Sequence, residues 1–63
     1  MSIQFIHLKE TDYHFELIIN MQRVITITKE GESAIIYFAD KEENISLEEY
    51  EYILKILNKD KEA

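Results

Sequence analysis

The stretch Asn44-Ile45-Ser46-Leu47-Glu48-Glu49-Tyr50-Glu51-Tyr52-Ile53-Leu54-Lys55-Ile56-Leu57-Asn58 decides the fold, because it alone reads as a helix. Ser46 fits an N-cap, whose hydroxyl accepts a hydrogen bond from an orphan N–H of the first turn. Glu49, three residues on, completes an S-x-x-E capping box, and Ile45 with Tyr50 has the spacing of a hydrophobic staple. Glu48, Glu49 and Glu51 lie near the positive end of the helix dipole, with Lys55 and Lys59 towards the negative end. The pattern predicts a helix over 47–58. Its expected core stripe is Leu47, Tyr50, Ile53, Leu54 and Leu57. Tyr52 and Ile56 fall outside that stripe and form a candidate second contact surface.

Upstream, the chain reads as strand and turn. Ile3 to Leu8 is a strand candidate with mixed alternation, Ile3 and Phe5 pointing one way and Ile6 and Leu8 the other, so either both faces are covered or a bulge switches the facing midway. Lys9 to Asp12 reads as a turn. From Tyr13 to Met21 the large side chains Tyr13, Phe15, Leu17, Ile19 and Met21 alternate with a mostly polar set, predicting a long strand with the first set inward. Asn20 to Arg23 has a weak turn signal. Val24 to Thr28 and Ser33 to Ala39 are β-rich and flank Lys29-Glu30-Gly31, the strongest turn in the chain. A type I turn with Gly31 in a left-handed bulge position pairs Thr28 with Glu32, Thr26 with Ala34, Ile25 with Ile35 and Val24 with Ile36. Asp40 to Asn44 reads as a charged loop. The expected fold class is α+β: a small antiparallel sheet of three to four strands followed by one C-terminal helix (ββββα), in a single domain over 1–63.

In that register both hairpin faces are apolar. Ile25, Ile27, Ile35 and Tyr37 lie on one, and Val24, Ala34, Ile36 and Phe38 on the other with Thr26 and Thr28. One helix covers only one face of a sheet, and a solvated face should be polar. The uncovered face is therefore expected to meet another chain, most simply a second copy; curling of the first strand over it is the alternative. The expected partner interface is Tyr52 and Ile56 on the helix, with Val24, Thr26, Ile36 and Phe38 on the sheet. A 63-residue chain without cysteine has a thin stability margin, which also favours a homodimer.

The sequence carries no catalytic or metal motif. His7 and His14 come close only if a hairpin turns at Glu10 to Asp12, and surface strand positions account for them more simply than a metal site with Glu16. The acidic residues lack calcium-loop spacing. No catalytic, cofactor or metal residue is assigned, and an enzyme is not expected. The net charge of −6 disfavours nucleic acid and membrane surfaces as partners and suits a basic protein. No apolar run is long enough to span a membrane, and the N-terminus lacks signal-peptide character, so a cytoplasmic protein is expected. These features fit a non-enzymatic homodimeric regulator or inhibitor of a basic partner, encoded by a phage or mobile element.

The order of four strands and a capped helix entering through Ile45-Ser46-Leu47-Glu48-Glu49-Tyr50 resembles the PC4-like single-strand DNA-binding architecture. That resemblance implies a single-stranded nucleic-acid-binding dimer, with Tyr13, Phe15 or Tyr37 stacking on bases. The Lys/Arg and Trp that line such a sheet are missing: Trp is 0 and the basic residues are dispersed.

Overall fold

A computed structural model describes residues 5–62. Five antiparallel strands in two sheets precede one helix. The strands are β1 (Phe5–Leu8), β2 (Leu17–Asn20), β3 (Val24–Glu30), β4 (Ser33–Phe38) and β5 (Glu42–Ser46), followed by α1 (Leu47–Glu62). β1 and β2 form a two-stranded ribbon, and β3-β4-β5 form a three-stranded sheet with β4 central. The α+β class and the closing helix are as the sequence indicates, but the strands divide between two sheets. Among the described residues no helix is long and apolar enough to cross a membrane.

β1 shows neither the two-sided cover nor the bulge expected of its mixed alternation: its register is regular, Ile6 and Leu8 are buried, and Phe5 and His7 are exposed. Ile3 lies outside the described residues. The long strand expected from Tyr13 shortens to Leu17–Asn20, because β1 ends at Leu8, opposite Leu17, and leaves the preceding residues no ladder partner. Instead Thr11 N–H donates to the His14 carbonyl at 2.9 Å, closing a turn, and Tyr13 N–H donates to Thr11 Oγ1 at 3.1 Å. Tyr13 and Phe15 are consequently exposed rather than inward. The turn at Asn20 is real: its side chain accepts from Gln22 N–H at 3.0 Å and starts a single 3-10 turn, Met21–Arg23.

Two features correct the hairpin. The loop between β3 and β4 is only Gly31 and Glu32, so Glu30 pairs with Ser33, Thr28 with Ile35 and Ile27 with Ile36. Gly31 takes φ +64 while no non-glycine residue among those described has positive φ, which is the II′ pattern. The ladder is also irregular between Val24 and Thr26, leaving Ile25 without a partner. Thr28 therefore opposes Ile35, not Glu32, an odd slip that exchanges the faces of one strand relative to the other. The second correction is β5. The expected charged loop pairs with β4 from Glu42 to Ser46, placing Ile45 beside Ala34. Burying that isoleucine fixes the strand, and its charged residues blunt the exposed edge.

Ile6, Leu8, Ile19, Ala34, Ile36, Ile45 and Ile53 form the buried core, between the ribbon and helix on one side and the inner face of the three-stranded sheet on the other. Helix α1 extends past the expected Asn58, and its inward stripe centres on Ile53. At about 100° per residue, Glu49 and Leu57 lie about 40° from Ile53, and Tyr50 and Ile56 about 60°. Tyr52 and Leu54 lie about 100° away on opposite shoulders. Accordingly Ile56 packs against the core, whereas Leu54, expected inside, is exposed.

Gly31 has nothing within 4 Å of where a Cβ would stand, so a side chain there is penalised only through the backbone. Gly31→Ala is expected to cost about 1 kcal/mol and lower the melting temperature by roughly 4–8 °C. An unchanged melting temperature in calorimetry would mean that Ala is accommodated by another turn.

Candidate functional site

The helix entry builds a polar cluster joined by several hydrogen bonds. Glu49 N–H donates to Ser46 Oγ at 3.1 Å and Ser46 N–H donates to Glu49 Oε1 at 3.0 Å, the reciprocal pair of a capping box. Ser46 Oγ also donates to Glu49 Oε1 at 3.3 Å. Because Glu49 lies on the inward flank of α1, the same carboxylate reaches His14, whose Nε2 lies 2.9 Å from Oε1 and 3.0 Å from Oε2. The other ring nitrogen, Nδ1, contacts the Phe15 carbonyl. The His14 side chain is 2% exposed and that of Glu49 13%.

Both imidazole nitrogens thus face acceptors, and only the doubly protonated ring donates to both. Burial, the largest single influence, opposes the charged form. The Phe15 carbonyl, the Glu49 hydrogen bond and the charges of Glu49 and Glu43 together outweigh it, and the His14 pKa is raised above 6.5. His7 is elsewhere, on the exposed side of β1, with Nε2 2.6 Å from Glu16 Oε2. It pairs across the ribbon with Ile18 and not with His14. No group of three or more His, Cys, Asp or Glu fit to hold a metal occurs among the described residues.

A second candidate is the outer face of the three-stranded sheet. The pairing puts Thr26, Thr28 and Glu30 of β3, Ser33, Ile35 and Tyr37 of β4, and Glu42, Asn44 and Ser46 of β5 on that side. The core, helix and ribbon lie on the other. Ile35 and Tyr37 are half-buried in the central strand, while Thr26, Thr28, Glu30, Glu42 and Asn44 are exposed around them. None of these nine residues is Lys or Arg.

The interface expected from the sequence is not a single surface. Ile36 is fully buried in this chain's own core, and Val24, Phe38 and Ile56 pack against that core. Thr26 is on the outer face, and Tyr52 is half-exposed on the helix shoulder, on the opposite side of the sheet. The outer sheet face is not the apolar face expected, because the observed register sets Thr26 and Thr28, not Ile25 and Ile27, beside Tyr37 and Ile35. Glu42 and Asn44, which read as loop in the sequence, become neighbours of Tyr37 and Ile35 only once β5 is in place. His14 and Glu49 are 35 positions apart and share no local signal.

Comparison with protein-family models, with curated proteins and with solved structures finds no match to this chain.

The raised His14 pKa makes stability fall with rising pH. The contribution is fully present below the unfolded value near 6.5 and is lost as pH climbs through the higher folded value. Urea unfolding of the wild type at a series of pH values above 6 should show this decline, and His14→Gln should flatten it. Ser46→Ala should cost about 1 kcal/mol at every pH, as expected for a lost cap. An equal slope in His14→Gln would assign the pH dependence to another group.

Proposed function

We propose that this chain is a small non-enzymatic binding module that regulates or inhibits a basic protein partner, using the outer face of β3-β4-β5. The observation supporting this is the composition of that face: a central Tyr37 and Ile35, a ring of Thr, Asn and Glu, and no cation. An aromatic anchor inside a polar rim is the anatomy of a protein-binding hot spot. Glu30 and Glu42, together with the chain's net charge of −6, favour a Lys/Arg-rich partner and repel a phosphate backbone. The same acidity argues against the PC4-like reading.

A homodimer in the cytoplasm completes the proposal. Its support is no longer Ile36 or Phe38 but the outer side of the ribbon. There Phe5 is 59% exposed and Ile18 70%, and the pairing makes them diagonal neighbours. A second copy is the simplest cover for two such side chains.

Peptides selected from a random displayed library are expected to be enriched in Lys and Arg. They should bind Tyr37→Thr at least about tenfold more weakly; threonine, like tyrosine, favours a strand. Neutral or acidic selected peptides, or full affinity for Tyr37→Thr, would remove the reading. Salt-sensitive binding of single-stranded oligonucleotides would support the PC4-like alternative instead. Sedimentation at about 0.15 M salt should show a dimer that Ile18→Glu dissociates, and a concentration-independent monomer would sink that part of the proposal.

A further inference from the structure

A groove of about 380 Å³ opens between β2 and the turn joining β4 to β5. One wall is all four residues of β2, Leu17–Asn20, and the other includes Phe38, Asp40, Lys41 and Glu43. Consecutive strand residues face opposite sides, so all four meet one space only along the strand's edge. Among the described residues β2 is hydrogen-bonded to β1 alone, so that edge has no ladder partner there. Alternate N–H and C=O groups of Leu17–Asn20 therefore point into the groove without a ladder partner.

Arg23 stands at one end of this groove, exposed and in no ion pair among the described residues. Lys41 is differently committed: its Nζ is 3.8 Å from Glu43 Oε1 and 5.4 Å from the centre of the Phe38 ring. We propose that the groove binds an extended peptide by strand addition to β2, with the peptide's C-terminal carboxylate on Arg23. Main-chain bonds to the free edge supply affinity in this mode, and side-chain pockets supply selectivity. A guanidinium takes a carboxylate bidentately. Arg23 follows Asn20 after one 3-10 turn, so it marks the C-terminal end of β2 and the peptide runs parallel to that strand. The groove falls in the size range of ligand sites, about 300–1,000 Å³. Asp40 and Glu43 on the far wall select against acidic side chains, leaving apolar or basic residues ahead of the terminal carboxylate. This site is separate from the outer sheet face and does not rest on that reading.

The test is an amide-shift titration of the full chain with N-acetylated Val-Lys-Val, as the free acid and as the C-terminal amide. The free acid is expected to shift the amides of Leu17–Asn20 and Arg23 and to bind at least about tenfold more tightly than the amide form. Arg23→Gln should weaken the free acid by the same factor and leave the amide form unchanged. Tyr37→Thr should change neither, which separates this site from the outer face. Equal affinity of acid and amide, shifts confined to the outer face, or no shift at ~1 mM peptide would each overturn the proposal.

Discussion

Glu49 joins parts of the chain that share no β-ladder. The ribbon and the three-stranded sheet are separate hydrogen-bonded units, and α1 begins directly after the last residue of β5. One carboxylate closes the helix N-terminus on Ser46 and, through His14, fastens the loop that precedes β2. Removing either member of such a pair leaves an uncompensated group in a confined place, so the pair acts as a constraint on geometry more than as a source of net stability. The cap determines where Glu49 points, and Glu49 determines where the loop lies. The loop in turn ends in Leu17, which packs against the core.

That constraint also decides which surface stays open. Helix and ribbon lie on the same side of β3-β4-β5, with Ile53, Ile6, Leu8 and Ile19 meeting Ala34, Ile36 and Ile45 between them. The opposite side of the sheet is left with the side chains that the register assigns to it. A different register would have put Ile27 there and turned the threonines inward. The two-residue turn at Gly31 and the irregularity at Ile25 are thus what make the free face polar and acidic around one tyrosine.

Signals that span a few residues were legible in the sequence. The capping box at Ser46 and Glu49 forms as its spacing implies, whereas the strand signal of β1 left open which of its two apolar sides faces inward. The Asn20 turn was also visible. What could not be read depends on distant partners. Tyr13 and Phe15 alternate like a strand, but β1 is too short to pair with them. Glu42, Glu43 and Asn44 look like a loop until Ile45 finds a place beside Ala34. The helical stripe was misplaced by less than one turn, enough to exchange Leu54 for Ile56 on the core side. The candidate sheet face depends on the β3–β4 and β4–β5 registers together, neither of which a local pattern specifies.

The acidity of the chain then has more than one cause. Glu49 and Glu43 both raise the proton affinity of His14, so part of the negative charge favours the protonated form of a buried imidazole. Glu30 and Glu42 have no such internal role; they lie on the outer face with no cation beside them on that face. Uncompensated like charge destabilises a compact chain by self-repulsion, and a chain of 63 residues has a thin stability margin. Carboxylates that satisfy an internal partner explain themselves structurally. Those that do not are where a basic partner would return the most binding energy, since its cations would relieve a repulsion that folding leaves in place.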